Sequence, residues 1–108
     1  MYSTLIIAKF KRHDPEQIAK LFKEFDESDM PQRMGTLRRQ LFSYHDLYIH
    51  AQDFAQDHGP ERVEQARQDP RFIQISDDLR PFFEPYDPNW KGPKDAMASN
   101  FYHWEQPS

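Results

Sequence analysis

Residues 36–54 constrain the fold more than any other part of the chain. Two runs rich in strand-forming residues, Thr36–Tyr44 and Leu47–Phe54, flank the dipeptide His45-Asp46. A two-residue connection between such runs predicts a β-hairpin, although neither residue is the preferred glycine. With the turn fixed, counting outward sets the register. Tyr44 then faces Leu47, Phe42 faces Ile49, Gln40 faces Ala51 and Arg38 faces Asp53. The opposite face pairs Ser43 with Tyr48, Leu41 with His50, Arg39 with Gln52 and Leu37 with Phe54. That second face is mixed, its apolar residues interrupted by Arg39, His50 and Gln52.

The segments around the hairpin complete an architecture. Residues 4–10 read as a strand, and the consecutive Leu5, Ile6 and Ile7 predict that both of its faces are covered. Asp14-Pro15-Glu16-Gln17 has the form of a helix start, with Asp14 as cap, Pro15 in the first turn and Gln17 at capping-box spacing. Ile18, Leu21, Phe22 and Phe25 follow as one apolar stripe. This helix should end near Asp29, ahead of Pro31. Residues 55–60 read as a polar loop and residues 60–68 as a weak helix with only Val63 and Ala66 to bury. Asp69-Pro70 restarts a helix carrying Phe72, Ile73, Ile75 and Leu79, which should end near Arg80-Pro81. Residues 82–88 form an aromatic, proline-punctuated connector that is expected to pack. Residues 97–105 are predicted as the last strand, with Phe101 and His103 alternating against Tyr102 and Trp104.

The order strand, helix, strand, strand, helix pair, strand is the α+β, ferredoxin-like βαββαβ pattern. The length suits one domain over residues 1–108. Helices in such a fold cover one side of the sheet. The strand residues here are at least partly apolar on both sides, so the bare side needs a partner. A homodimer closing sheet on sheet, a dimeric α+β barrel, is the simple answer.

Composition limits what this domain can be. Leu, Ile, Val and Phe together number 22 of 108 residues, at the threshold for disorder. Yet the net charge is only −4 and 15% of residues are aromatic, so the chain should fold on rings. Rings bury large areas and also make walls for a flat ligand. Cysteine is absent, which removes disulfides, thiolate metal sites and cysteine nucleophiles. No apolar run spans a membrane, no secretory leader is evident, and the mixed charge argues against nucleic acid. A cytoplasmic setting is expected. Three scattered glycines provide no phosphate loop, and the five histidines lack metal-ligand spacing, so no metal is expected.

Three residues from different elements are candidates for chemistry, each beside a structural explanation. Asp26 falls at the edge of the buried stripe near the end of the first helix, where a carboxylate is otherwise a solvated helix end. His50 lies mid-strand, either as a half-buried histidine or as an acid or base. Arg39 is either a paired surface arginine or a group holding negative charge on an oxygen. Arg38, expected on the other face opposite Asp53, reads as structural.

The run Met34-Gly35-Thr36-Leu37-Arg38-Arg39-Gln40-Leu41-Phe42, with Met30-Pro31 ahead of it and the hairpin behind, resembles the small aromatic polyketide cyclases of the tetracenomycin cyclase family. The likeness extends to Asp69-Pro70-Arg71-Phe72, to Pro85-Tyr86-Asp87 before Trp90, and to Ala96-Met97-Ala98 with Phe101-Tyr102-His103-Trp104. Within that family the spore-pigment cyclases of actinomycetes are the most similar subgroup. The resemblance implies a ferredoxin-like dimer with a cavity between sheet and helices. It implies cofactor-independent aldol condensation and dehydration of a poly-β-ketone or a partly cyclised intermediate. Asp26, Arg39 and His50 match the family's helix-end acid, sheet arginine and hairpin histidine. Tyr48, Gln52, Phe22 and Trp90 are the candidates for binding substrate. Some members carry a histidine just before the helix-end acid, whereas this chain has Phe25. The resemblance implies a small-molecule polyketide substrate, with synthase components as protein partners. Two rival readings share the architecture: a cofactor-free oxygenase of anthrone-like compounds, and a non-catalytic partner of a synthase complex.

Overall fold

The computed structural model describes residues 2–55, 59–91 and 93–107. Its strands are β1 (Tyr2–Phe10), β2 (Thr36–Tyr44), β3 (Leu47–Phe54) and β4 (Phe83–Pro85). Its helices are α1 (Pro15–Asp26), α2 (Met30–Met34), α3 (Gly59–Ala66) and α4 (Pro70–Leu79). The strands form one antiparallel sheet in the order β2-β3-β1-β4, the ferredoxin-like arrangement expected from the element order. Among the described residues no helix is long and apolar enough to cross a membrane.

The hairpin pairs as counted from Tyr44↔Leu47 through Arg38↔Asp53. His45 makes the turn possible by adopting φ 53, a left-handed conformation that histidine tolerates better than most residues. The register then shifts between Arg38 and Thr36, so Thr36 rather than Leu37 pairs with Phe54. A bulge here ejects Leu37, which is left exposed.

Helix α1 begins as its sequence dictates: Asp14 accepts from the Gln17 amide at 3.2 Å, and Pro15 sits in the first turn. It stops at Asp26, one turn earlier than the expected end near Asp29. Ser28 closes it by donating to the Phe25 carbonyl at 2.6 Å and accepting from the Met30 amide at 3.2 Å. The short α2 follows at once, an element not anticipated from the sequence, and buries Met30 and Met34 completely. Gly35 ends α2 with φ 77, and an added Cβ would lie 2.8 Å from Nη1 of Arg62. Asp69 caps α4 through the Arg71 amide at 2.8 Å. It also takes the guanidinium groups of Arg33 and Arg71, while Arg71 reaches Asp29. Hydrogen bonds from Arg71 hold the Asp69 carboxyl down to about 2. This ion cluster ties the α1–α2 junction to the start of α4.

The core lies between the helices and one face of the sheet, around Ile18, Phe22, Phe25, Met30, Met34, Tyr48, Ile75 and Phe82. Phe42 points to the other face and is 49% exposed. The register explains it, because Phe42 pairs with Ile49 and shares that face with Ile7 rather than with His50.

The last strand differs most from expectation. Residues 97–105 do not form it; only Met97 bridges Ile6, and the chain beyond is neither helix nor strand. The connector supplies the fourth strand instead. A 3₁₀ turn at Arg80–Phe82 brings β4 back so that Phe83 pairs with Phe10. Ring burial decides the outcome: Phe82 is buried, and the Phe83 ring lies 4.0 Å from that of Tyr48 and 5.9 Å from that of Phe10. Phe101, Tyr102 and Trp104 remain exposed. The polar loop expected at residues 55–60 lies largely outside the described residues, as does the Val63 side chain.

Candidate active site

The stripe of α1 places Phe22 and Phe25 against the sheet, and the next residue, Asp26, comes at the rim of that contact. From β2 and β3, Arg39 and His50 reach the same face as diagonal neighbours, since Arg39 pairs with Gln52 and Leu41 with His50. The three side chains meet. Arg39 Nε donates to Asp26 Oδ1 and Oδ2 at 3.1 and 3.0 Å, and Nη2 donates to Oδ1 at 3.0 Å. Nη1 lies 2.9 Å from His50 Nε2. The Arg39 side chain is only 6% exposed, whereas that of Asp26 is 35% exposed. A buried guanidinium is tolerable because its charge is paired with Asp26 and each of its three nitrogens makes a hydrogen bond. It also lies over two rings, 5.0 Å from Phe22 and 5.6 Å from Phe25.

This contact fixes the state of His50. Arginine has no acceptor, so Nη1 donates and Nε2 must accept. The ring proton therefore sits on Nδ1, which has no hydrogen-bond partner among the described residues. Burial, reinforced by the positive charge of Arg39, pushes the His50 imidazolium down to about 3. His50 is thus neutral near pH 7. The Phe22 ring, 5.2 Å away and edge-on, helps exclude water. Burial also raises the Tyr48 phenol well above its ordinary range despite Arg39, so it remains a neutral O–H. Two of the five guanidinium N–H groups stay uncommitted among the described residues.

Asp26, Arg39 and His50 therefore assemble with Phe22, Tyr48 and Gln52. Gln52 is anchored by accepting from the Thr36 hydroxyl at 2.9 Å. Sequence reasoning missed Thr36, because straight counting carries the register past it; the bulge alone brings it opposite. Trp90 does not join the group. It lines a recess of about 240 Å³ with Ile7, Tyr86, Met97 and Ala98. Ile7 pairs with Ile49, so this recess opens on the outer face of the sheet, opposite His50. Arg38 has the structural role expected of it. It donates to Asp53 at 2.8 Å, and the Asp53 carboxylate also accepts from Ser3 at 2.6 Å.

A ferredoxin-like sheet with a buried arginine fork, a carboxylate and a neutral imidazole on its helix-covered face defines a small α+β protein whose polar cluster can donate hydrogen bonds to an oxygen and accept a proton. Comparison narrows the class. The profile of the polyketide synthesis cyclase family matches residues 2–105. An uncharacterized protein of Streptomyces coelicolor is 40% identical, the match covering 98% of this chain and 96% of that one. Tetracenomycin F2 cyclase of Streptomyces glaucescens is 36% identical over 98% of this chain and 96% of its own length. The solved structure of that cyclase, described as a type-II polyketide cyclase, superposes with a TM-score of 0.91 over 99% of this chain and 100% of the other. The chain belongs to the polyketide synthesis cyclase family.

Proposed function

We propose that the protein is an aromatic polyketide cyclase that closes a ring by aldol condensation and loss of water, using Asp26, Arg39 and His50. The observation that carries this reading is the Arg39 fork, which binds Asp26 and His50 at once and keeps N–H groups free. A methylene between two carbonyls is acidic enough for a carboxylate to act on when the enolate oxygen is stabilised. Asp26 is the base. Its rim position leaves oxygen lone pairs accessible, and it takes the methylene proton. Uncommitted N–H groups of Arg39 hold the enolate oxygen, while the Nδ1–H of His50, on the far side of its ring from Arg39, holds a different carbonyl oxygen of the chain.

The enolate carbon attacks a second carbonyl, forming the C–C bond and an alkoxide. Asp26 returns its proton to that alkoxide. A second cycle takes a proton from carbon and delivers it to the departing hydroxyl as water, leaving a double bond. The sequence balances with loss of one water and no co-reactant. His50 stays neutral throughout and acts only as a donor, because giving up its last ring proton would leave an imidazolate. Phe22, Tyr48 and Gln52 shape the walls, and holding one folding of the chain is an orientation effect. We assign the bare outer face of the sheet to a two-fold homodimer.

The test supplies poly-β-ketone products of an aromatic synthase to the protein and follows ring pattern by chromatography and mass spectrometry. Wild type should redirect the mixture to one cyclised product at substoichiometric amounts, and Asp26→Asn should lose that effect while remaining folded. An unchanged mixture with wild type removes the cyclase reading. Oxygen uptake with an anthrone substrate would instead favour an oxygenase.

A further inference from the structure

The bulge at the start of β2 shapes a side chain of the site as well as the end of the sheet. It ejects Leu37, which is 59% exposed, and gives the place opposite Phe54 to Thr36. An apolar side chain goes to water and a hydroxyl takes its place beside Gln52. Bulges next to active sites re-aim side chains in this way. Thr36 donates through Oγ1 to Gln52 Oε1 at 2.9 Å. One end of the amide is thereby committed, and Nε2 is turned away from Thr36. Gln52 is only 5% exposed, yet Nε2 has no hydrogen-bond partner among the described residues. Among those residues every buried side-chain nitrogen or oxygen shut off from open space does have a partner. Nε2 therefore borders an opening. Gln52 lies directly across the strand pair from Arg39, which meets Asp26 of α1 on the helix-covered face. Two N–H groups of Gln52 and two of Arg39 thus stand uncommitted on neighbouring strands.

We propose that the Gln52 amide is a specificity-determining donor that holds a substrate oxygen beside the one held by Arg39, and that Thr36 is the residue positioning it. The proposal rests on the cyclase reading and adds how the substrate chain is set in place. In a poly-β-ketone every second carbon carries an oxygen. With the enolate oxygen on Arg39, the neighbouring carbonyl falls to Gln52, because directly opposed side chains of an antiparallel pair stand only about 4.5–5.5 Å apart at Cβ. Nε2 can only donate, so it holds a carbonyl or enolate oxygen and gains nothing from a methylene. A chain folded so that a methylene lies there leaves a buried donor unpaired. Sites built around such a donor reject the ligand that lacks its acceptor. The Thr36 hydroxyl keeps the amide facing one way. Without it the amide can turn over and present Oε1, which repels the carbonyl oxygen it should hold.

The probe is a dihydroxyanthraquinone, flat, oxygen-rich and with nothing left to cyclise, so that binding is read apart from turnover. On binding, the side-chain amide protons of Gln52 should shift in the NMR spectrum and exchange more slowly with water. Thr36→Val keeps the branched shape and loses the hydroxyl; it should bind the probe about threefold to tenfold more weakly, the worth of one neutral hydrogen bond. Thr36→Ser should restore the wild-type affinity. In a Gln52→Leu background Thr36→Val should cost nothing further, since Thr36 acts through the amide. With synthase products, Thr36→Val should broaden the mixture and Thr36→Ser should not. Amide resonances unmoved by the probe, as from an amide turned with its protons toward Thr36, would overturn the proposal. So would losses that simply add in the double variant, or a Thr36→Val protein that matches wild type in affinity. If wild type still directs synthase products while these binding results fail, the proposal falls and the cyclase reading stands. Binding results as expected beside an unchanged product mixture would remove the cyclase reading and leave Thr36 and Gln52 as a ligand-holding pair.

Discussion

The neutral state of His50 makes a quantitative prediction about acid stability. In the unfolded chain its imidazole titrates near 6.5, and in the folded protein burial and Arg39 push it down to about 3. Between those values the unfolded state binds a proton that the folded state refuses. The stability contributed by keeping His50 neutral is therefore fully present above pH 6.5 and is lost progressively as pH falls toward 3. At pH 4.5 the loss spans two pH units, or about 3 kcal/mol at about 1.4 kcal/mol per unit. That is a large share of the stability of a small domain. The perturbation is His50→Gln, whose carboxamide oxygen can accept from Arg39 but does not titrate. Urea unfolding of both proteins at fixed concentration, from pH 7 to 4.5, gives the two slopes. Wild type should lose about 3 kcal/mol more than the variant over that interval. This interval also lies above the ordinary aspartate range, so Asp53 and Asp69, both held low, contribute little to the difference. Parallel curves would refute the reasoning, since they would require a His50 that charges freely in the fold.

Three further outcomes follow from the same geometry. The pH profile of cyclisation should show no inflection between pH 6 and 7 that disappears in His50→Gln, as kcat/KM measured across that range will decide. Arg39→Lys should fold yet lose regiospecificity, because one ammonium cannot reproduce the fork that holds Asp26 and His50 together; product ratios read this out. Gly35→Ala should cost about 1–2 kcal/mol in denaturant unfolding, from a left-handed φ that a Cβ disfavours; the flexible end of Arg62 can move aside. Phe82→Ala should cost about 3–5 kcal/mol by the same measurement, because the connector ring is core rather than pocket wall.

The pairing of Arg39 with His50 across two strands shows how much of the site was legible. The alternation of the hairpin and its two-residue turn put Arg39, His50 and Gln52 on one face by arithmetic alone. The apolar stripe of α1 put Asp26 at the rim of that face. These are short-range facts, set by backbone periodicity and capping, and the sequence carries them openly. It did not carry the contact itself. That Arg39 faces Asp26 with one edge and His50 with Nη1 depends on how α1 lies over the sheet, and so do the neutral imidazole and its tautomer. Trp90 shows the opposite failure. Its ring type suited a pocket wall, but the side of the sheet it occupies is decided by how the chain returns after β4.

The hairpin on which the sequence depends most has the same division within it. Its turn, its register as far as Arg38 and the face of every paired residue follow from counting, because the side-chain period of a strand is two. The bulge that admits Thr36 does not, since it answers to packing at the sheet end. Likewise the sequence alone determined that four strands and one covering layer of helices would be attempted, and that rings would have to fill the core. Only the tertiary structure decided which rings. Phe82 and Phe83 find Phe10 and Tyr48 within reach and take the edge of the sheet, while Phe101, Tyr102 and Trp104 find no such surface in their own subunit. Two segments of similar strand character compete for one edge, and the buried area available to each selects between them.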